Sequence, residues 1–255
     1  MILGMESFRE HFKGYEDCYT IIGGAACDVL MSDAALSFRA TKDIDMILLI
    51  ENRFEAFAEI FWDYIKAGGY RCGWKSSEEP HFYRFTEPQR SNFPVMIELF
   101  SRRPDFQVEN PNVHLTPLPV SDEISSLSAI MLDEDYYRLM LAGRRTVGGI
   151  SVLSAEYLIL FKIKAWLDLT KKKAAGAHVN ERDLKKHKND VFRLFALVAP
   201  TVRVPLPEKV RGELEQFFAR MEAEGVKLTD LGIYDYTADE VLEGLRNIYG
   251  EKVMI

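Results

Sequence analysis

The chain has 255 residues, a formal net charge of −7 at pH 7, and hydrophobic side chains at 47% of its positions. This length can bury one large core or two modest ones, and the negative charge argues against broad, nonspecific binding to nucleic acid. No apolar run approaches membrane-spanning length. Because Cys18, Cys27 and Cys72 show no metal-ligand spacing, we expect reduced thiols in a cytoplasmic protein. From the lack of a long apolar run, we expect no membrane partner.

The first motif is a glycine pair between a strand and a helix. After an opening helix at residues 5–13, the run 19–22 is short, β-branched and stopped by glycine, which predicts a buried strand. A helix is predicted for residues 25–31, so Gly23 and Gly24 occupy the strand-to-helix turn. There, a backbone without side chains can approach a triphosphate closely, and exposed N–H groups favour an anion.

The second motif is a pair of acids that opens the apolar run 43–50. Because side chains alternate along a strand, Asp43 and Asp45 project from the same face, roughly 7 Å apart. Two carboxylates on an otherwise buried strand repel each other and lose hydration, and a divalent cation removes both penalties. The alternative is an ordinary Asp-x-Asp at a strand edge, bonded to water or to an arginine. The preceding glycine turn favours the interpretation of this pair of acids as a metal site.

Residues 52–67 predict a helix with a buried apolar stripe, and residues 101–119 a long surface connection. Shorter strand candidates lie near residues 70–74, 81–85, 94–100, 113–118 and 125–131.

The strand near residue 98 carries a third acid. A lone glutamate within an apolar run, Glu98, is costly unless it meets a cation or a donor. Beside the acidic strand, Glu98 would complete a carboxylate cluster able to hold one or two Mg²⁺ ions. In the alternative interpretation, Glu98 faces solvent on a half-exposed strand and pairs with Arg102 or Arg103.

Together, the glycine pair and the segment FRATKDID at residues 38–45 resemble the nucleotidyltransferase superfamily with the DNA polymerase β-type fold. The arginine and threonine before the acids are similar to the AbiEii branch, which includes toxins of abortive-infection and MenT-type toxin–antitoxin systems. The resemblance implies transfer of a nucleotidyl group from a nucleoside triphosphate (NTP) to an acceptor, and several members of those families modify transfer RNA.

The resemblance also implies roles for individual residues. Gly23 and Gly24 would contact the triphosphate, Asp43 and Asp45 would hold the metals, and Glu98 would fill the third-carboxylate position. Two departures stand out: many members have serine where this chain has Gly24, and the third acid is often aspartate. Close to the acids, Arg39 is a candidate to steady the nucleotide or the carboxylates, although a structural ion pair is the more common use of such an arginine.

Ser154 opens a predicted helix that runs to residue 169. AbiEii-type proteins carry a Lys-x-x-Ala sequence on such a helix, and Lys162 matches its spacing, which implies that Lys162 neutralises triphosphate charge. Lys164 is the second candidate and points to a different helix face. A solvated lysine is the usual alternative, but the residues flanking Lys162 are largely apolar.

Residues 180–194 predict a further helix, on which Asp183, Lys186, His187 and Asp190 share one face. The AbiEii pattern has a comparable acid-bearing helix, and Asp190 fits it best, with Asp183 as the second candidate. Asp183 and His187 are also candidate nucleotide-binding residues. His187 is either a proton shuttle or a histidine that simply bonds to a neighbouring acid.

Basic residues gather around this helix, at Lys171, Lys172, Lys173, Arg182, Lys185, Lys186, Lys188 and Arg193. This basic cluster could guide an RNA backbone or a triphosphate, and a solvated face is the alternative. Two more helices are predicted at residues 207–224 and 237–249, the second with a capping box from Thr237 to Glu240.

This order of elements predicts an α+β fold: a mixed-sheet nucleotidyltransferase core in residues 1–150, then a helical domain in residues 151–255 that completes the active site. The favoured hypothesis is an enzyme that uses Mg²⁺ to transfer a nucleoside monophosphate from an NTP to a hydroxyl of RNA, in particular transfer RNA. It would act as a toxin with a cognate antitoxin. The alternatives are a small-molecule or protein acceptor, and a non-catalytic NTP-binding module.

Overall fold

The computed structural model describes residues 2–49, 54–74, 82–100, 116–117 and 133–250. They group into two compact units, of which the first comprises Met1–Ser121 with Arg144–Ser154 and the second Asp122–Gly143 with Ala155–Ile255. The single boundary predicted after residue 150 falls within a strand of the first unit, Ile150–Leu153.

One mixed sheet forms the centre of the first unit. Its helices are α1 (Met5–His11), α2 (Gly23–Asp33) and α3 (Phe54–Gly68), and its strands are β1 (Tyr19–Ile22), β2 (Asp43–Leu48), β3 (Arg71–Trp74), β4 (Phe82–Thr86), β5 (Met96–Phe100), β6 (Thr116–Pro117), β7 (Arg144–Val147) and β8 (Ile150–Leu153). The strand order is β6-β3-β4-β5-β2-β1-β8-β7. The β1–β2 and β4–β5 pairs are antiparallel, and the β2–β5 and β1–β8 pairs are parallel. The acidic strand β2 therefore lies in the interior of the sheet.

An aromatic core fixes the first helices against this sheet. Phe12, the residue that follows α1, lies 5.6 Å from Phe57 of α3 and 6.0 Å from Tyr19 of β1, measured between ring centroids. Tyr64 of α3 joins the same core and shares a hydrogen bond of 2.9 Å with Ser7. Such ring pairs contribute about 0.5–1.5 kcal/mol each beyond the burial of their area. These contacts pack α1 and α3 against β1, the strand that leads into the glycine turn.

The described part of the second unit is helical. It contains α4 (Glu134–Ala142), α5 (Ala155–Ala174), α6 (Glu181–Phe195), α7 (Glu208–Glu224), a 3₁₀ turn (Leu228–Leu231) and α8 (Ala238–Tyr249). Trp166 of α5 packs edge-on against Phe217 of α7, with ring centroids 5.4 Å apart. The predicted α+β class, with a mixed sheet followed by helices, is confirmed. Among the described helices, none combines the length and the apolar character needed to cross a bilayer.

Most predicted elements are confirmed with shifted ends, and three described helices and strands were missed, besides the 3₁₀ turn. Helix α2 begins at the glycines themselves, two residues before the predicted start. The missed elements are α4, β7 and β8, and Gly148 and Gly149, next to the predicted boundary, form the turn between β7 and β8. The strand candidate at 125–131 lies outside the described residues, as do all but two residues of the connection at 101–119 and of the strand candidate at 113–118.

Candidate active site

Asp43 and Asp45 lie at the start of β2, where one face of the strand is partly open. Both acids are half-buried, whereas Ile44 and Met46 are fully buried. From Met46 onward, every residue of the strand is buried. The alternation predicted for the two carboxylates is therefore confirmed, and the acids occupy the less buried end of β2.

Asp45 meets the glycine turn directly. Strand β1 pairs with β2 so that Ile22 lies opposite Asp45, and α2 begins at the next residue. Gly23 has a φ of +66°, and a Cβ atom there would lie 1.9 Å from Asp45 Oδ2. No side chain fits at Gly23 while Asp45 keeps its place, and the positive φ also favours glycine. The two predicted motifs thus lie in direct contact.

Gly24 lies against the loop that precedes β2. A Cβ atom at Gly24 would lie 2.8 Å from Thr41 Oγ1 and 3.4 Å from Arg39 Nη2. The guanidinium group of Arg39 also lies over the Phe38 ring, 5.0 Å from its centroid. The N-cap residue of α2, Ile22, provides no side-chain cap. The first turn of a helix has N–H groups without helical acceptors, and here a carboxylate, a hydroxyl and a guanidinium group surround it.

Glu98 is placed beside Asp45 by the pairing of β2 with β5. The two residues are in register on parallel strands, so their side chains project from the same face of the sheet. Glu98 is buried, with 6% of its surface exposed. Arg84 of β4, which lies opposite Glu98, donates from Nε to Glu98 Oε1 at 2.7 Å and contacts the same oxygen through Nη2. The alternative in which Glu98 faces solvent is wrong.

The donor set fits one Mg²⁺ ion held jointly with a substrate. Mg²⁺ is commonly bound by one or two carboxylates together with water and substrate phosphates, which is what the half-buried pair Asp43 and Asp45 can offer. Across the described ranges, no group of three His, Cys, Asp or Glu residues is arranged to hold a metal. Glu98 directs Oε1 to Arg84. A second ion with Glu98 as its ligand stays a prediction.

In the second unit, Lys162 and Asp190 form a buried ion pair. Lys162 Nζ lies 2.9 Å from Asp190 Oδ2, and the exposed fractions of the two side chains are 3% and 0%. Arg193 Nη1 approaches the other carboxylate oxygen at 3.7 Å. The alternative of a solvated Lys162 is wrong, because its ammonium group is buried and neutralises Asp190. Its predicted role with a triphosphate stays a prediction.

Lys164 has different partners, as expected for a residue on another helix face. Its Nζ atom lies 2.8 Å from Asp168 Oδ1 and 3.0 Å from Glu213 Oε1. Burial acts to lower the pKa of Lys164, but the hydrogen bonds to Asp168 and Glu213 outweigh it and raise that pKa above the usual value. Tyr136 donates to Glu213 at 2.8 Å and extends the network to α4. Lys164 therefore has two carboxylate partners within the helical unit.

The predicted shared face of α6 points inward. His187 and Asp190 are buried, and Asp183 and Lys186 are half-buried. The roles predicted for Asp183 and His187 stay predictions. Of the predicted site residues, the structure brings together Gly23, Gly24, Arg39, Asp43, Asp45 and Glu98 in the first unit, and it places Lys162, Lys164, Asp183, His187 and Asp190 in the second.

Two side chains at the site had no predicted role. Arg84 meets Glu98 because β4 pairs with β5. The residues next to Arg84 in the sequence do not indicate that Glu98 would be its partner. Thr41 lies two residues before Asp43, within the segment that carries the resemblance. Its contact with Gly24 depends on how the loop before β2 folds over α2.

No protein-family model matches the chain, and no curated protein sequence matches it. The structure is similar to the crystal structure of an antigenic nucleotidyltransferase-like protein from Paracoccidioides brasiliensis, with a TM-score of 0.46 and 14% sequence identity, over 94% of this chain and 96% of that chain. A similarity at this level identifies neither a family nor an activity. The function proposed below therefore rests on the residues of this chain.

Proposed function

We propose that the protein is a Mg²⁺-dependent nucleotidyltransferase that moves a nucleoside monophosphate from an NTP to an acceptor hydroxyl. The observation that carries this proposal is the contact between Gly23 and the Asp45 carboxylate at the start of α2. The start of a helix, where backbone N–H groups lack helical acceptors, favours phosphate, and paired carboxylates favour a cation that also binds phosphate. Their direct contact supports one triphosphate being held by both.

Most residues at the site have a role in this proposal. Gly23 and Gly24 let the phosphates approach the backbone of the first turn of α2. Asp43 and Asp45 would hold Mg²⁺, which supplies the positive charge that offsets the phosphate oxygens. Glu98, kept in place by Arg84, adds a third carboxylate on the same face of the sheet.

The reaction balances as a substitution at the α-phosphorus. The acceptor hydroxyl loses its proton to solvent, and its oxygen forms a bond to the α-phosphorus. The bond from that phosphorus to the bridging oxygen of the β-phosphate breaks, and pyrophosphate leaves with the electron pair. Holding the nucleotide and the acceptor in line is the main task of the protein in such a transfer.

For the acceptor, we propose RNA, with the protein acting as a toxin that has an antitoxin partner, as the sequence resemblance implies. The basic cluster supports an RNA acceptor in part. Lys173 and Lys188 are paired with Glu181 and Glu224, whereas the side chains of Lys171, Arg182 and Lys185 are exposed. Exposed cations can bind an RNA backbone even on a protein of negative net charge, because they act locally.

The test is incubation of the purified protein with Mg²⁺, each labelled NTP in turn, and total cellular RNA. The test variant is Asp43→Asn/Asp45→Asn, and Asp63→Asn is the matched control, since Asp63 is an exposed acid of the same unit. We expect label on RNA with the wild type and Asp63→Asn, and none with the double variant.

Other results would contradict separate parts of the proposal. Label on a small molecule or a protein instead of RNA would leave the nucleotidyltransferase standing and overturn the RNA acceptor. Binding of NTP with no transfer to any acceptor would indicate a non-catalytic module. The absence of NTP binding in the presence of Mg²⁺ would overturn the enzymatic proposal altogether.

A further inference from the structure

We infer that Thr41 is a substrate-binding residue, which donates its hydroxyl proton to a phosphate oxygen of the bound NTP. This inference rests on the proposed function. It concerns a residue with no role in the site as predicted, and it makes the loop before β2 a functional part of the site.

The position of Thr41 is the first support. Its Oγ1 atom lies 2.8 Å from the point where a Cβ atom of residue 24 would be. Gly24 is the second residue of α2, within the turn whose N–H groups have no helical acceptors. A phosphate bound to those N–H groups would therefore lie beside the Thr41 hydroxyl.

The second support is that the fold does not use this hydroxyl. Thr41 Oγ1 makes no hydrogen bond within the described part of the chain, and the residue is half-buried. A hydroxyl in a partly buried position is usually bonded to a partner in the protein, to water or to a ligand. By contrast, Thr20 of the same unit lies 3.4 Å from Ser151 Oγ and accepts from Arg144 Nε at 2.9 Å.

The third support is chemical. Gly24 has no side chain, so the first turn of α2 offers backbone N–H groups and no hydroxyl of its own. One carboxylate, that of Asp45, lies beside Gly23. A phosphate there needs donors that complement its oxygens, and a neutral hydroxyl provides one without competing with a cation for the carboxylates. Thr41 brings that donor from a different segment of the chain.

The first experiment compares Thr41→Val with Thr41→Ser. Valine keeps the shape of threonine and removes the donor, whereas serine keeps the hydroxyl. Ser37→Ala is the matched control, because Ser37 is an exposed hydroxyl of the same loop. A hydrogen bond to a charged group is worth about tenfold to hundredfold in affinity. We expect Thr41→Val to weaken Mg²⁺–NTP binding by about that factor, and Thr41→Ser and Ser37→Ala to bind as the wild type does.

The second experiment moves the hydroxyl to the other side of the contact. In Thr41→Ala the oxygen that would crowd residue 24 is gone, so Gly24→Ser can be accommodated and its hydroxyl enters the same space. We expect Thr41→Ala/Gly24→Ser to bind NTP more tightly than Thr41→Ala. Gly24→Ser alone should bind less tightly than the wild type, because its side chain meets Thr41. The melting temperature without nucleotide checks that each variant is folded.

The outcomes separate this inference from the proposed function. If the wild type binds and transfers nucleotide while Thr41→Val matches it in NTP affinity and KM, the role of Thr41 is overturned and the function stands. If the wild type binds no NTP, both fall. A selective loss of affinity in Thr41→Val, with serine at position 41 restoring it, supports the inference.

Discussion

The ammonium group of Lys162 lies 2.9 Å from a carboxylate oxygen of Asp190, and the two side chains are 3% and 0% exposed. This pair joins α5 to α6 inside the helical unit. Transferring two charges out of water is costly, and their mutual attraction offsets that cost when both are present. Removing Lys162 takes away the closest cation that Asp190 contacts, and leaves this buried carboxylate with Arg193, 3.7 Å from its other oxygen.

We therefore expect Lys162→Met to lower the free energy of unfolding by about 3–5 kcal/mol. The double variant Lys162→Met/Asp190→Asn should lose less than the sum of the two single variants, because it leaves no unpaired charge. Urea unfolding followed by circular dichroism measures all three. The matched control is Lys173→Met, whose partner Glu181 lies with it on the surface. Equal stability of Lys162→Met and the wild type would contradict the buried pair.

A second prediction concerns Gly23. We expect Gly23→Ala to abolish nucleotide binding. The Cβ atom of the alanine would lie only 1.9 Å from Asp45 Oδ2, so the carboxylate would have to move. Gly14→Ala is the control, since Gly14 has a similar positive φ of +85° and nothing within 4 Å of its Cβ position. Both variants incur the backbone cost of about 1–2 kcal/mol. Isothermal titration with NTP and Mg²⁺ should show binding by Gly14→Ala and not by Gly23→Ala.

The third prediction tests whether Glu98 serves the metal as well as the fold. Glu98→Gln can keep a hydrogen bond from Arg84, so we expect it to remain folded. It removes one negative charge from the face that carries Asp45. The Mg²⁺ concentration that gives half-maximal activity should therefore rise, by about tenfold if one ligand is lost. An unchanged Mg²⁺ dependence, together with reduced stability, would restrict Glu98 to its pairing with Arg84.

The fourth prediction is a pH dependence at the N-cap of α4. Burial acts to raise the pKa of Asp133, but Lys209 and the N–H groups of Tyr136 and Asp135 outweigh it and hold that pKa below its usual value of 3.8. A carboxyl group with a lowered pKa in the folded state stabilises the protein above that usual value. The stabilisation is lost as the pH falls through the folded-state pKa.

Asp133→Asn should therefore unfold at a lower urea concentration than the wild type at about pH 7, by an amount that corresponds to roughly 0.3–1 kcal/mol. Asparagine can still cap the helix, so the difference reports the charge. At about pH 2 the two proteins should have nearly equal stability. Asp135→Asn is the control from the same helical turn. A difference that persists unchanged in acid would show that the charge of Asp133 is not its cause.

The local elements of this protein follow from short stretches of sequence. The Thr237–Glu240 capping box forms as predicted, with both of its reciprocal bonds. Strand β1 ends at the residue before the glycine pair, because a β-branched run stops where glycine begins. These features depend on residues a few positions apart. The helix α4 and the strands β7 and β8 were missed.

The sequence by itself determined the glycine turn, the two acids on one face of β2, and the α+β order of the elements, because periodicity and turn chemistry act over a few residues. Only the tertiary structure decided that Asp45 meets Gly23, that Glu98 pairs with Arg84, and that Lys162 neutralises Asp190. Those partners are chosen by strand pairing and helix packing between distant segments. Burial then makes each of these pairings energetically necessary, because a buried charge without a partner is costly.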